Sequence, residues 1–203
     1  MSVDADQPRS VEFWDNLYKE GRLPWDCGGV PGRLRQFIEQ EMSEEAVAGR
    51  SVLIPGCGSA YEAAYLASMG LKVTAIDVSE PAIERARSIV GDLPVKFEVA
   101  DFFELGQNDF DFVYERAFLC AIHPTFRERF PAVLRSLLKD EGKLFGFFFV
   151  DTERKSGPPY PIAEVNLSTL MSGLFEQDAD ESTDDQLEVF EGKERWQVWS
   201  KVL

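Results

Sequence analysis

One histidine and three cysteines in 203 residues leave little room for metal or disulfide chemistry. Cys27, Cys57 and Cys120 are odd in number and far apart, and His123 is the only imidazole. They do not fall at zinc-ligand spacing, so reduced thiols and no structural metal are expected. Basic residues are also scarce: 21 Lys and Arg stand against 36 Asp and Glu, a formal net charge of -15. A surface of that average sign repels phosphate backbones and anionic headgroups, so neither nucleic acid nor a membrane surface is an expected partner. Long apolar runs are missing too. The longest, 144–150, is far below the roughly 20 residues that span a bilayer. The opening MSVDADQPRS has no basic region followed by an apolar stretch, so the expected location is the cytoplasm.

The chain, 44% hydrophobic, is long enough for one well-buried domain over 1–203 and too short for two generous ones. Segments 11–21 and 30–48 read as helices, the second with Leu34, Phe37, Ile38 and Met42 at helical spacing. A short strand at 51–54 then leads into a helix at 60–69 capped by Gly70. The pattern repeats as a strand at 72–76, a helix at 81–90 with Ser79 as N-cap, and a strand at 95–99. A loop at 101–108, a strand at 111–114, a helix at 125–138 and a very apolar strand at 143–150 follow. Strands alternating with helices, the strand runs continuously apolar, predict a parallel sheet covered on both faces. Pro158, Pro159 and Pro161 make 151–162 a loop. Residues 164–173 read as a helix and the acidic 178–185 as a solvated segment. A terminal antiparallel hairpin is expected from 187–190 and 194–202, turning at Glu191-Gly192, which brings the strand count to seven.

Three strand ends carry residues suited to holding a nucleoside. Gly56-Cys57-Gly58 lies between a buried strand and a helix, where a ligand must approach the backbone with no Cβ in the way. A dinucleotide fingerprint wants a third glycine where Tyr61 stands, which counts against a pyrophosphate. Asp77 ends the second strand at the distance where an acid accepts from two ribose hydroxyls. Asp101 follows the third, in position to take an adenine amino group while Phe102 covers the ring. A tight turn, a loop aspartate and a solvated turn acid are the bland alternatives, one for each. Together the three point to adenosine without a phosphate requirement, which is to S-adenosylmethionine (SAM). Two rivals remain: a nicotinamide-dependent oxidoreductase, disfavoured by Tyr61 and the C-terminal hairpin, and a SAM-binding regulator without turnover.

The chain resembles the thiopurine S-methyltransferase superfamily, and within it the plant-type thiol and halide methyltransferases. The resemblance rests on Phe13-Trp14 through Tyr18, Gly21, Pro24-Trp25-Asp26, 54–58, 75–79, 100–103, 118–122 and Gly157-Pro158-Pro159-Tyr160. It implies a Rossmann-like class I SAM-dependent methyltransferase in which residues 1–48 form a helical lid on the 49–203 core. It also implies SAM contacts from Trp14, Tyr18 and Trp25 in the lid and from Gly56, Cys57, Gly58, Asp77, Val78, Asp101, Phe102 and Glu115. Trp14 and Tyr18, four residues apart, share one helix face. Many members carry a tryptophan where this chain has Tyr18. Glu115-Arg116 departs from both the Asp-Tyr of thiol and halide members and the Asp-Arg of thiopurine-type members.

The implied substrate is a small soft nucleophile, a thiol before a halide or thiopurine, and the protein is taken as a monomer. Arg116 is a candidate anchor for an anionic substrate or for the methionine carboxylate. Tyr160 is a candidate pocket wall or hydrogen-bond donor. His123 is a candidate proton acceptor, with a role at the start of a helix as its alternative.

Overall fold

The structure, a computed structural model, describes residues 8–42, 47–107 and 109–202. Residues 1–7 and 43–46 of the expected lid region, and 108 of the expected loop, lie outside them. Ser10 caps α1 (Val11–Lys19) by accepting from the Phe13 amide at 3.3 Å. The second expected helix is shorter: α2 (Gly32–Gln36) passes into a π turn at Phe37–Glu41.

Five strands lie parallel: β1 (Ser51–Pro55), β2 (Lys72–Asp77), β3 (Val95–Val99), β4 (Phe110–Arg116) and β5 (Leu138–Phe149). With β6 (Phe175–Ser182) and β7 (Glu194–Lys201) they form one sheet in the order β3-β2-β1-β4-β5-β7-β6. Side-chain alternation sends Val52, Ile54, Val73, Phe112, Tyr114, Phe145 and Trp196 to one face. There they meet α2, α3 (Tyr61–Ser68) and α4 (Glu80–Val90). Leu53, Val113, Leu144, Phe148 and Trp199 go to the other face. That face is covered by α6 (Phe130–Leu137) and α7 (Glu164–Met171). Ser79 caps α4 as expected, its Oγ accepting from the Ala82 amide.

Two expectations need correction. The single helix at 125–138 is two, α5 (Pro124–Arg127) and α6, because Pro131 has no N–H to carry the helix through and takes a position in the first turn instead. The antiparallel partner of β7 is 175–182, not 187–190, which forms a 3-10 turn at Glu188–Phe190. The acidic stretch is therefore largely an edge strand. Its acids have basic partners on neighbouring elements: Asp178 pairs with Lys143, Asp180 with Arg195 and Glu181 with Arg33. Charged side chains also suit an edge, which they keep from pairing further.

Gly146 of β5 lies opposite Glu115 of β4, and its φ of +149° is one that side-chain-bearing residues rarely adopt. A Cβ there would run into the Glu115 carbonyl, whose carbon would be 2.7 Å away. Because the obstacle is backbone, Gly146→Ala has to part β4 from β5, and a loss of about 3 kcal/mol or more is expected. Denaturant titration checks this; a midpoint equal to the parent's would contradict it.

Candidate active site

The strand order reverses at the β1–β4 pair, since α3 leaves β1 on one face of the sheet and the helices after β4 pack on the other. A crevice opens at the carboxyl ends of strands at such a point. A cavity of about 440 Å³ fills it, lined by Gly56, Cys57 and Gly58 after β1, Asp77 and Val78 after β2, and Asp101, Phe102 and Phe103 after β3. Trp14, Tyr18 and Trp25 close one side.

The aromatic residues of the expected lid form a row. Trp14 meets Trp25 edge to face at 5.7 Å, Trp25 meets Tyr18 at 6.0 Å, and the Trp25 indole donates to Tyr18 Oη at 3.4 Å. None of the residues of α1 is fully buried, as a helix packed into the core would require. Tyr18 Oη would lie 3.0 Å from a Cβ on Gly58, so the bare glycine lets lid and loop approach closely. Burial pushes the Tyr18 phenol far up, so it stays a neutral donor. The row is fastened by Asp26, which the sequence reading named only within Pro24-Trp25-Asp26, and by partners it did not single out. Asp26 accepts from Ser59 Oγ at 2.5 Å and from Arg85 Nη2 at 3.0 Å, and Arg85 Nε donates to Ser59 at 2.7 Å. At the other end Arg9 donates to the Gly157 carbonyl at 2.9 Å. Asp26 stood beside Trp25 in the chain; nothing local marked its partners.

Asp77 is buried and accepts from the Ser79 amide at 3.0 Å and the Gly58 amide at 3.2 Å. Burial raises its carboxyl to about 6, against those amides, which favour the ionised form. Asp101 is exposed and accepts from the Phe103 amide at 2.8 Å. Phe102 stacks on Phe130 in the core, leaving Phe103, half-buried under the Arg129 guanidinium, as the more open ring beside Asp101. The loop needs a ligand with no Cβ-blocking contact at Gly58 and a buried acceptor at Asp77, which fits a nucleoside such as that of SAM.

Glu115 is not in the cavity. It is 2% exposed and accepts from the Phe118 and Leu119 amides at 3.0 and 2.8 Å, fixing the turn after β4. Both amides fall on Oε1, and Oε2 is buried without a hydrogen bond. Burial raises the carboxyl to about 8. Arg116 does line the cavity, with its side chain 7% exposed. Its guanidinium lies 4.3 Å from the Phe147 ring centre and 3.7 Å from Glu194, and donates to the Asp185 carbonyl at 2.9 Å. Nη1 is buried without a hydrogen bond.

Tyr160 lies behind the wall too. It is buried, its amide donates to Cys120, and Arg127 holds its carbonyl at 2.6 Å. Pro158 and Pro159 are the members of that loop that line the cavity, with Ile122, Phe126, Val189 and Phe190. His123 reaches the cavity, but its Nδ1 accepts from the Thr125 amide at the start of α5. The same Nδ1 also hydrogen-bonds the Thr125 hydroxyl at 2.8 Å.

Fold and cavity define a Rossmann-like SAM-dependent methyltransferase. A magnesium protoporphyrin IX methyltransferase from Synechocystis, solved with SAM bound, has the same fold at a TM-score of 0.69 and 16% identity, over 99% of each chain. A structure from work on conversion of a disulfide bond into a thioacetal group in echinomycin biosynthesis matches at 0.75, with 19% identity over 95% of this chain and 93% of that one. Residues 9–202 match the family model for thiopurine S-methyltransferase, and the chain belongs to that family. It is 29% identical to thiocyanate methyltransferase 1 of Brassica oleracea, over 96% of this chain and 88% of that protein. It is 31% identical to a probable thiol methyltransferase 2 of Arabidopsis thaliana, over 74% of this chain and 67% of that one. SAM is the cofactor, and the nicotinamide alternative falls away. Among the described residues no helix is long and apolar enough to cross a membrane, and no group of three or more His, Cys, Asp or Glu is arranged to hold a metal ion.

A raised carboxyl makes the ligand-free site pH-sensitive. Hydroxyl donors such as those of a ribose require an ionised Asp77, so a ligand that used them would have to expel a proton below about pH 6. SAM affinity is expected to fall by up to about tenfold per unit below pH 6 and to level off above 7. Folding runs the other way: a carboxyl raised above its unfolded value of about 3.9 contributes stability at low pH that is lost as pH rises through about 6. Asp77→Asn, which cannot ionise, should therefore weaken SAM binding and remove the loss of stability between about pH 4 and about pH 6. Calorimetry of SAM binding from pH 5 to 8 and thermal unfolding of the variant check both signs.

Proposed function

We propose that this chain transfers the methyl group of SAM to a small thiol, as a cytoplasmic monomer of one domain with the N-terminal segment as its lid. The observation that carries the reading is a single cavity with two unlike halves, acids and glycines under the lid and an apolar wall of Ile122, Phe126, Pro158, Pro159 and Phe190 opposite. Relatives described as thiol and thiocyanate methyltransferases support a soft sulfur acceptor.

Asp77 would hold the ribose hydroxyls, Asp101 the adenine amino group, and Phe102 and Phe103 the ring edge. Arg116, which lines the cavity, would take the methionine carboxylate. Bound SAM supplies a methyl group on a sulfonium, whose leaving group is already activated. What falls to the protein is alignment and the exclusion of water, by the lid on one side and the proline wall on the other. A thiol with an ordinary pKa near 8.5 is a few per cent thiolate at neutral pH, so no strong base is required. His123, whose ring lines the cavity, would stand beside the acceptor as a hydrogen-bond partner or proton acceptor.

Labelled SAM with a panel of aromatic thiol, alkyl thiol, hydrogen sulfide, thiocyanate and iodide tests the acceptor. Methyl transfer to a thiol is expected; binding of SAM with no transfer to any acceptor would favour a regulator without turnover. The lid is tested by Trp14→Ala. Removing the ring should raise KM for SAM and lower kcat together, because binding and water exclusion both suffer. A variant that loses thermal stability alone, its kinetics unchanged at low temperature, would make the aromatic row part of the core.

A further inference from the structure

The acceptor half of the cavity carries a cation with no acid of its own. Three arginines line the cavity: Arg9, Arg116 and Arg129. Arg116 stands 3.7 Å from Glu194 and Arg129 3.5 Å from Glu104, whereas among the described residues Arg9 has no carboxylate partner. In a chain with 36 acids that is not for want of supply. The Arg9 guanidinium lies 5.1 Å from the Phe13 ring centre, and its Nη2 donates to the Gly157 carbonyl at 2.9 Å, which sets it beside Pro158 and Pro159 of the acceptor wall. Nε is buried without a hydrogen bond. A guanidinium offers five N–H donors in a planar fork that matches a carboxylate. Here one donor goes to a neutral carbonyl, and most of the fork is left for a ligand.

We propose that Arg9 is a specificity-determining residue of the acceptor site, selecting thiols that carry a carboxylate at the far end of an apolar body. This rests on the thiol reading above. The apolar body would lie along Ile122, Phe126, Pro158, Pro159 and Phe190, with the carboxylate on Arg9. The carboxylate takes no part in the transfer. The thiol proton goes to water, the thiolate sulfur forms the new bond to the methyl carbon, and the electron pair of the broken bond stays on S-adenosylhomocysteine. What Arg9 supplies is a choice of sign: a thiol ending in an ammonium would meet like charge, and a neutral one would leave the fork unused. Because Arg9 directly precedes the Ser10 cap of α1, an anion held there also ties the acceptor to the strap that carries Trp14 and Tyr18. The alternative is a pin alone, in which Arg9 fastens the strap through the Gly157 carbonyl and reads no ligand.

Mercaptoalkanoates with a terminal thiol and three to six carbons, each paired with its methyl ester, separate the two. Within a pair the sulfur and the chain are the same and only the charge differs. Initial rates at saturating SAM and pH 8 give kcat and KM for each acceptor. In the parent protein at least one acid should exceed its ester in kcat/KM by about ten- to a hundredfold, the effect of one charge-assisted hydrogen bond, with the difference in KM. In Arg9→Gln that ratio should fall to about one, and Arg9→Lys should keep part of it. A pin alone gives another pattern: Arg9→Gln lowers acid and ester by the same factor and leaves their ratio as it was. That result would overturn the proposal, as would a ratio near one at every chain length in the parent. Binding of SAM by the parent with no transfer to any acid or ester would overturn the thiol reading itself, and this assignment with it.

Discussion

The site depends on the pairing of β1 with β4. These strands are parallel neighbours, yet the chain leaves them on opposite faces of the sheet, α3 to one side and α5 and α6 to the other. No helix can cover the gap between those departures, so the carboxyl end of the pair stays open. The glycine loop, the β2 and β3 acids and the turn after β4 converge there because each follows a strand on the same edge. Gly146 and Glu115 then fix the geometry from below. The closest β4–β5 approach presses on the residue whose carboxylate shapes the turn toward Leu119. Packing in the sheet and the form of the cavity wall are thus coupled through one strand.

The same crevice sets a conflict between stability and binding. Asp77 is buried before any ligand arrives, with two backbone amides to offset the loss of water. That the carboxyl still rises shows the amides do not fully repay desolvation. A ligand bringing two hydroxyl donors would relieve the cost, so part of the binding energy is stored in the free protein as an unfavourable charge. Arg116, elsewhere on the cavity wall, likewise keeps a buried Nη1 without a hydrogen bond.

Much of this was legible in the sequence because it is local. The strand-helix alternation, the Ser79 cap and the Gly56 to Asp77 spacing each depend on residues close along the chain, and all three appear in the structure. What failed depends on distant partners. Residues 178–185 read as solvated because their acids are unpaired locally, while Lys143, Arg195 and Arg33, which pair with Asp178, Asp180 and Glu181, come from other elements. Glu115 and Arg116 are adjacent, yet strand alternation sends one behind the wall and the other into the cavity, a difference no motif carries. Tyr160 was singled out for its place on the proline loop, but the loop turns its prolines to the cavity and packs the tyrosine against His123.

The lid joins the two halves of the cavity mechanically. It is a strap pinned at both ends: Asp26 on Ser59 and Arg85 at the cofactor side, Arg9 on the Gly157 carbonyl at the proline wall. Between the pins the aromatic row touches the core through Gly58 and shares few buried contacts with it. The Asp26 end binds a residue of the glycine loop itself, so any ligand that shifts that loop bears directly on the latch. The Arg9 end binds the carbonyl just before Pro158, a residue of the acceptor wall. Displacing the strap for a ligand to enter has to break charge-assisted bonds at one end or the other, and which end yields decides whether the cofactor side or the acceptor side opens to water.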